Sequence, residues 1–256
     1  MKILKKVVVV ICCLVIGVGC TITSWAGELN NIKKYLEELN VIDKDSFRTD
    51  EGVYRIEAVP AIMKVFGVRD ENVSSHPYFV SPPFADLGSR WVSEISNLEE
   101  GYVLNAVGID MIQGYGGKFY PFNTITADEA VAIMVRFIEQ KTIYHDDWHK
   151  LEYTHRYAQE AGLFLETDRF YENGNVAVTI EEFETLLYRL TNQPAFWYFN
   201  DGQYYDYERS RTYVELLQGD FPEERRMWST QAAQGIFPGD ERYEDYDIEK
   251  ESKFKD

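Results

Sequence analysis

The sequence predicts a mainly α fold: three helix-loop-helix repeats forming a pseudo-threefold helical bundle, extended by a short C-terminal aromatic β-hairpin. Three observations predict it. A helical pattern opened by Thr126 and carrying Glu129 three residues on returns at Thr179 and Glu182, with a third version at Tyr54 and Glu57. A threonine followed by a glutamate at that spacing is a capping box. Each pattern follows another helical stretch that ends in glycine or asparagine at a similar distance upstream, which is the mark of a repeat. Last, two aromatic runs flank Asn200-Asp201-Gly202, the signature of a hairpin.

In chain order the first element is a leader. Lys2, Lys5 and Lys6 precede an apolar run from Val7 to about Gly19, and the small residues Ser24 and Ala26 follow. That order is what a signal peptidase reads, so residues 1–26 are expected to be an export signal cleaved after Ala26. The apolar run is shorter than the ~20 residues of a membrane-spanning helix, so no span is expected in the mature chain. Cys12, Cys13 and Cys20 all lie in the leader. Val18-Gly19-Cys20 offers an alternative, a lipoprotein-type site with lipid on Cys20. Without disulfides, a mature chain of about 230 residues must be held by its own core.

The first repeat covers about 29–68. Its upstream helix runs from about Asn30 to Leu39 and ends at Asn40; its second helix follows Tyr54, which cannot cap as threonine does. Pro60 falls early in that helix. Pro77, Pro82 and Pro83 mark an inserted loop over 69–83. The second repeat covers about 84–140, with a helix from about Trp91 to Val107 that ends at Gly108-Ile109. A Gly114-Tyr115-Gly116-Gly117 turn and a short strand at Lys118-Phe119-Tyr120 come next. The helix after Thr126 places Val131, Met134, Val135 and Ile138 on one face. The third repeat covers about 144–192, with a helix from about Trp148 to Ala161, an end at Gly162-Leu163, and a turn at Asn173-Gly174-Asn175. Asn40, Gly108 and Gly162 suit left-handed helix C-caps. One such pair cannot bury its apolar stripes alone; three can, with the capped helices meeting about an axis.

Residues 193–240 are expected to be an extension packed on the bundle, and 241–256 a charged flexible tail. The aromatics between Phe196 and Tyr207 carry two readings, stacking on sugars or packing one hairpin face on the bundle. The net charge of −17 becomes −20 once the three leader lysines are removed. Acidity of this size argues against nucleic acid and anionic membrane surfaces as partners. Hydrophobic content of 45% and aromatic content of 15% exclude wholesale disorder.

The repeat resembles the S-layer homology domain of bacterial surface proteins. The second copy carries most of the likeness, with Phe84-Ala85-Asp86, Gly108-Ile109, Gly114-Tyr115-Gly116, Phe119 and Pro121, and Ile125-Thr126 with Glu129 in the family's order. The third copy has Tyr144-His145-Asp146, Gly162-Leu163, Phe170 and Val178-Thr179 with Glu182; the first keeps Arg55 and Glu57. The resemblance spans about Leu29 to Asn192. It implies a three-pronged helical module that attaches non-covalently to the anionic, pyruvylated secondary polymer of a Gram-positive-type cell wall. It also implies ligand contacts at Arg55, Asp86 and Asp146, with Trp91 and Trp148 as groove walls. The family's motif arginine is present only as Arg55; Ala127 and Ile180 stand at the other two places. A planar guanidinium suits a carboxylate because it can donate two charge-assisted hydrogen bonds.

The expected protein is therefore secreted and cell-surface associated, non-catalytic, and without a cofactor. Its partner would be an anionic cell-wall polysaccharide. An alternative is a repurposed repeat scaffold, lipid-anchored or not, that binds another surface protein; a wall-glycan hydrolase is the third reading. His145 and His149 sit four apart with His155 beyond, a spacing that can hold zinc on a helix, but no metalloprotease glutamate follows the first. No Gly-x-Ser-x-Gly, P-loop or mature cysteine nucleophile is present.

Overall fold

The computed structural model describes residues 29, 31–73, 83–87, 94–109, 111–138, 150–200, 203–206, 210–219 and 225–226. The leader with Ala26, the residues Trp91, His145, Asp146, Trp148 and His149, and the tail 241–256 lie outside them. The described part is mainly helical: α1 (31–38), α2 (Arg55–Val65), a 3-10 turn (Asp70–Asn72), α3 (Asn97–Gly108), α4 (Ala127–Ile138), α5 (Leu151–Glu160), α6 (Ile180–Thr191), then β1 (Trp197–Asn200), β2 (Gln203–Asp206), α7 (Tyr213–Leu217) and β3 (Arg225–Arg226). No helix among the described residues is long and apolar enough to cross a membrane.

Local sequence chemistry sets the helix starts. Thr126 Oγ1 accepts from Glu129 N at 3.2 Å while Glu129 Oε2 accepts from Thr126 N at 3.0 Å. Thr179 and Glu182 repeat this at 3.2 and 2.9 Å. Two donors that a helix start would leave unsatisfied are paired in each case. α2 keeps only the glutamate half, with Tyr54 N donating to Glu57 Oε2 at 2.9 Å. α3 starts at an unforeseen capping box: Ser96 and Glu99 cap it, so it begins at Asn97 and not near Trp91.

The starts of α2, α4 and α6 meet. Ile125 N donates to Val53 O at 2.8 Å, and Val178 N donates to Ile125 O at 3.1 Å. Arg55 N reaches Asn123 O, and Ala127 N reaches Val176 O, each at 3.0 Å. Val53, Ile125 and Val178 are buried, so this hydrogen-bonded junction is also apolar. α2 then runs through the middle of the molecule, buried on nearly every side and packed on α3, α4, α6 and α7. A helix with apolar residues round most of its circumference belongs in a core. At its far end Phe66 stacks on Phe137 with centroids 4.2 Å apart, and Tyr213 meets Phe66 edge-on. α5 is an outer helix that buries only Thr154 and Ala158.

The hairpin docks on the end of α2. Phe199 N donates to Phe66 O at 2.7 Å. Gly67, at φ +87°, closes the helix there; a Cβ on it would lie 2.1 Å from Phe199 O. Both the left-handed backbone and the close approach require glycine. Register runs from Trp197 opposite Asp206 to Asn200 opposite Gln203, so Asn200 belongs to the strand and not to the turn. A third strand, unforeseen in the sequence, adds Arg225 and Arg226 opposite Asp206 and Tyr205. Tyr198 and Phe199 pack on the core, which decides those two aromatics for packing.

Three local expectations are corrected. Asn40 (φ 56°) and Gly162 (φ 72°) are left-handed helix ends, but Gly108 is not: it is the last residue of α3, and Ile109 caps it at φ −102°. The chain instead closes that helix further on, where Met111 N bonds Ala106 O. No strand forms at Lys118-Phe119-Tyr120. Gly116 and Gly117, both at positive φ, make a tight turn between Tyr115 and Lys118, and Tyr120 at φ 58° ends any extension. Pro60 lies inside α2, where it removes an interior donor and not one of the free donors of the first turn.

Candidate functional site

The third residue of α2, α4 and α6 is a glutamate, and each glutamate pairs with an arginine. One oxygen serves the cap in every case. Glu57 Oε1 accepts from Arg48 N at 2.8 Å and Arg48 Nη1 at 3.4 Å. Glu129 Oε1 accepts from Arg55 Nη1 at 2.6 Å. Glu182 receives both Nε and Nη2 of Arg169, at 2.9 and 2.8 Å. Burial pushes the Glu57 carboxyl above its ordinary range. Burial acts the same way on Glu182, but the Arg169 guanidinium and the Thr179 amide outweigh it and hold that carboxyl low.

Seven residues beyond each glutamate stands a base: Lys64, Arg136 and Arg189. The glutamate and its base flank a groove in each case, of about 160 Å³ beside α2, 200 Å³ beside α4 and 690 Å³ beside α6. The described linings differ in charge. Beside α2, Lys64 faces Asp43, Asp45, Glu57 and Glu99. Beside α6, Arg169 and Arg189 face Asp168, Glu181 and Glu182. Beside α4, the described lining carries Arg55, Arg136 and Glu129. Among the described lining residues of these three grooves, bases outnumber acids only beside α4.

Arg55 sits at the first position of α2 and crosses to the α4 groove. Its Nε donates to Phe119 O at 2.9 Å, its guanidinium lies 5.1 Å from the Phe119 ring centroid, and its side chain is 13% exposed. Nη2 has no hydrogen-bond partner among the described residues. Asp86 holds the other side of the same peptide, accepting from Phe119 N at 2.7 Å and Tyr120 N at 2.8 Å. Two predicted site residues, Arg55 and Asp86, are thus brought to one loop. Arg55 faces the groove; Asp86 spends both carboxylate oxygens on shaping it. Trp91, Asp146 and Trp148 lie outside the described residues. Tyr115, 82% exposed at the tip of the glycine turn, and Tyr120 rim the groove with Gln113, Asn123 and Leu151.

The sequence reading missed Glu129, Arg136 and Arg189 as lining residues. The capping box accounts for Glu129 without pointing to the groove, whereas a base seven residues after each such glutamate is a repeat visible in the sequence. His155 is internal: Nδ1 lies 2.6 Å from Asp128 Oδ1 and Nε2 lies 2.9 Å from Tyr171 O. No group of three or more His, Cys, Asp or Glu among the described residues is arranged to hold a metal ion. Glu184 on α6 is 3% exposed with Oε1 unpaired, and burial drives its carboxyl up to about 7 against the pull of Lys33 on α1. No family model, curated protein or solved structure matches this chain.

Proposed function

We propose that this chain is a non-catalytic, exported cell-surface protein whose three helical repeats form a pseudo-threefold module resembling the S-layer homology domain. In this reading it attaches non-covalently to an anionic cell-wall polysaccharide, and the groove beside α4 is the contact. The observation that carries the reading is that bases outnumber acids among the described lining residues of that groove, in a chain of net charge −17. An anionic polymer is repelled by the molecule as a whole, so its contact must be a local reversal of sign. The repeat reading draws support from the shared junction of α2, α4 and α6 and from the glutamate-to-base spacing common to all three.

The test is retention by purified Gram-positive wall carrying the pyruvylated polymer. The mature chain should sediment with the wall, and Arg55→Ala should lower the affinity at least tenfold, since a charge-assisted pair in a half-buried groove is worth about 1.5–3 kcal/mol. No retention of the wild-type chain would sink the reading. Equal retention of the variant would remove Arg55 from it.

The acid excess beside α2 and α6 favours a second reading at those two grooves, docking of a basic segment of another surface protein. Cross-linking on intact cells would then join the chain to protein through those grooves, and depleting the wall polymer would leave the adduct unchanged.

A further inference from the structure

We propose that Glu129 is an internal competitor for Arg55, so that an anionic glycan enters the α4 groove by exchanging its own carboxylate for that of Glu129. This deepens the wall-attachment reading and rests on it.

The geometry sets up the exchange. Arg55 Nη1 is held by Glu129 Oε1 at 2.6 Å, and Nε by Phe119 O, so the guanidinium is already fixed in plane at the groove wall. Its remaining nitrogen, Nη2, lacks a partner among the described residues. Glu129 is anchored from behind, because Oε2 accepts the Thr126 amide at 3.0 Å in the capping box. Glu129 is 34% exposed and Arg55 13%, so the acid is the partner that solvent can reach and take over. A ligand carboxylate bridging Nη1 and Nη2 would make the two-point contact that Glu129 makes only once. Its sugar ring would lie against the rim of Tyr115 and Tyr120, which offer apolar faces with a polar tip. Leaving Arg55 does not undo the helix start, since the cap oxygen is a different one.

The contrast with Glu182 gives the competitor its meaning. There the arginine is already bound at two points by the glutamate, with Nε and Nη2 both occupied. A single-point pair is the weaker one and the one a bidentate ligand displaces.

The experiment uses the full mature chain and pyruvylated polymer released from purified wall, titrated by calorimetry. The same polymer after mild acid removal of its pyruvyl groups is the control. Glu129→Gln keeps the capping box, because glutamine serves at that position. It removes the charge that competes. It should bind the pyruvylated polymer about tenfold more tightly than wild type, with no gain toward the depyruvylated form. Glu129→Asp, too short to span from the Thr126 amide to Arg55, should tighten binding in the same direction and covers the case in which one variant fails to fold. Wild-type binding with no tightening in either folded variant overturns the competitor and leaves the attachment reading standing. Absence of binding by wild type and both variants overturns the attachment reading itself. Tightening toward both polymers alike also overturns the proposal, because carboxylate exchange must discriminate between them.

Discussion

The grooves beside α4 and α6 share a frame and differ in what they can hold. In both, a threonine and a glutamate cap the helix, and a base stands seven residues on. Beside α4 the arginine comes from α2 and ties together parts of the chain far apart in sequence, at one point on the acid. Beside α6 the arginine comes from the helix's own approaching loop, is 52% exposed, and is bound at two points. Among the described lining residues, bases outnumber acids in one groove and acids outnumber bases in the other. The difference teaches that the cap needs only one carboxylate oxygen. The second oxygen and its partner can change, and with them the sign of the groove, while the helix start stays as it is.

Removing what shapes only the α4 groove should give the largest effect. Asp86 satisfies the amides of Phe119 and Tyr120. Asp86→Ala leaves one partly buried and one exposed donor without their acceptors and should cost about 1–3 kcal/mol in urea unfolding, with wall retention lost alongside. A small cost would mean that the loop is held by other means, and that the carboxylate is available for ligand as the resemblance implies.

The next effect belongs to the α6 side. Glu184 occupies the fifth helical position, where α2 and α4 place Val59 and Val131. Its folded value of about 7 lies above the ordinary 4.5, so the native state binds more protons than the unfolded chain between those limits. Stability therefore falls as pH rises from about 4.5 through about 7, and the penalty is complete above that. Lys33, Glu37 and Glu181 face the same carboxyl and set how steep the fall is. Glu184→Val should raise stability by about 2 kcal/mol at pH 8 and by much less at pH 4.5, read from denaturation midpoints at the two pH values. A wild-type midpoint that stays level across this range would contradict the burial of an unpaired acid.

What the sequence showed and what it hid divide along chain separation. Thr126 with Glu129, and Thr179 with Glu182, were legible because a capping box is local and its spacing fixed. The hairpin was legible for the same reason, apart from the reach of β1 to Asn200. Gly108 misled because a glycine one residue inside a helix end looks like one outside it. The pair of Arg55 and Glu129 could not be read from spacing, since the partners stand 74 positions apart and only the fold brings them together. Arg55 itself was reachable through the resemblance. That route gave it a ligand and missed its resident acid.

The smallest effect is the one that isolates charge from structure. Arg169→Ala removes a guanidinium that is half exposed, bound to Glu182 and to Ala177 O. Glu182 keeps its cap to the Thr179 amide, so the helix start survives. An exposed pair contributes little once solvent screening is counted, and the loss should stay within about 1 kcal/mol. Wall retention should not fall, because the α6 groove already carries more acid than base and becomes only more negative. If Arg169→Ala weakened retention as much as Arg55→Ala, the sign of the lining would not be what selects the groove. Binding would then depend on the shared frame of the three helix starts. If retention is unchanged, the single arginine that crosses from α2 to α4 separates a groove that holds an anion from one built on the same frame that does not.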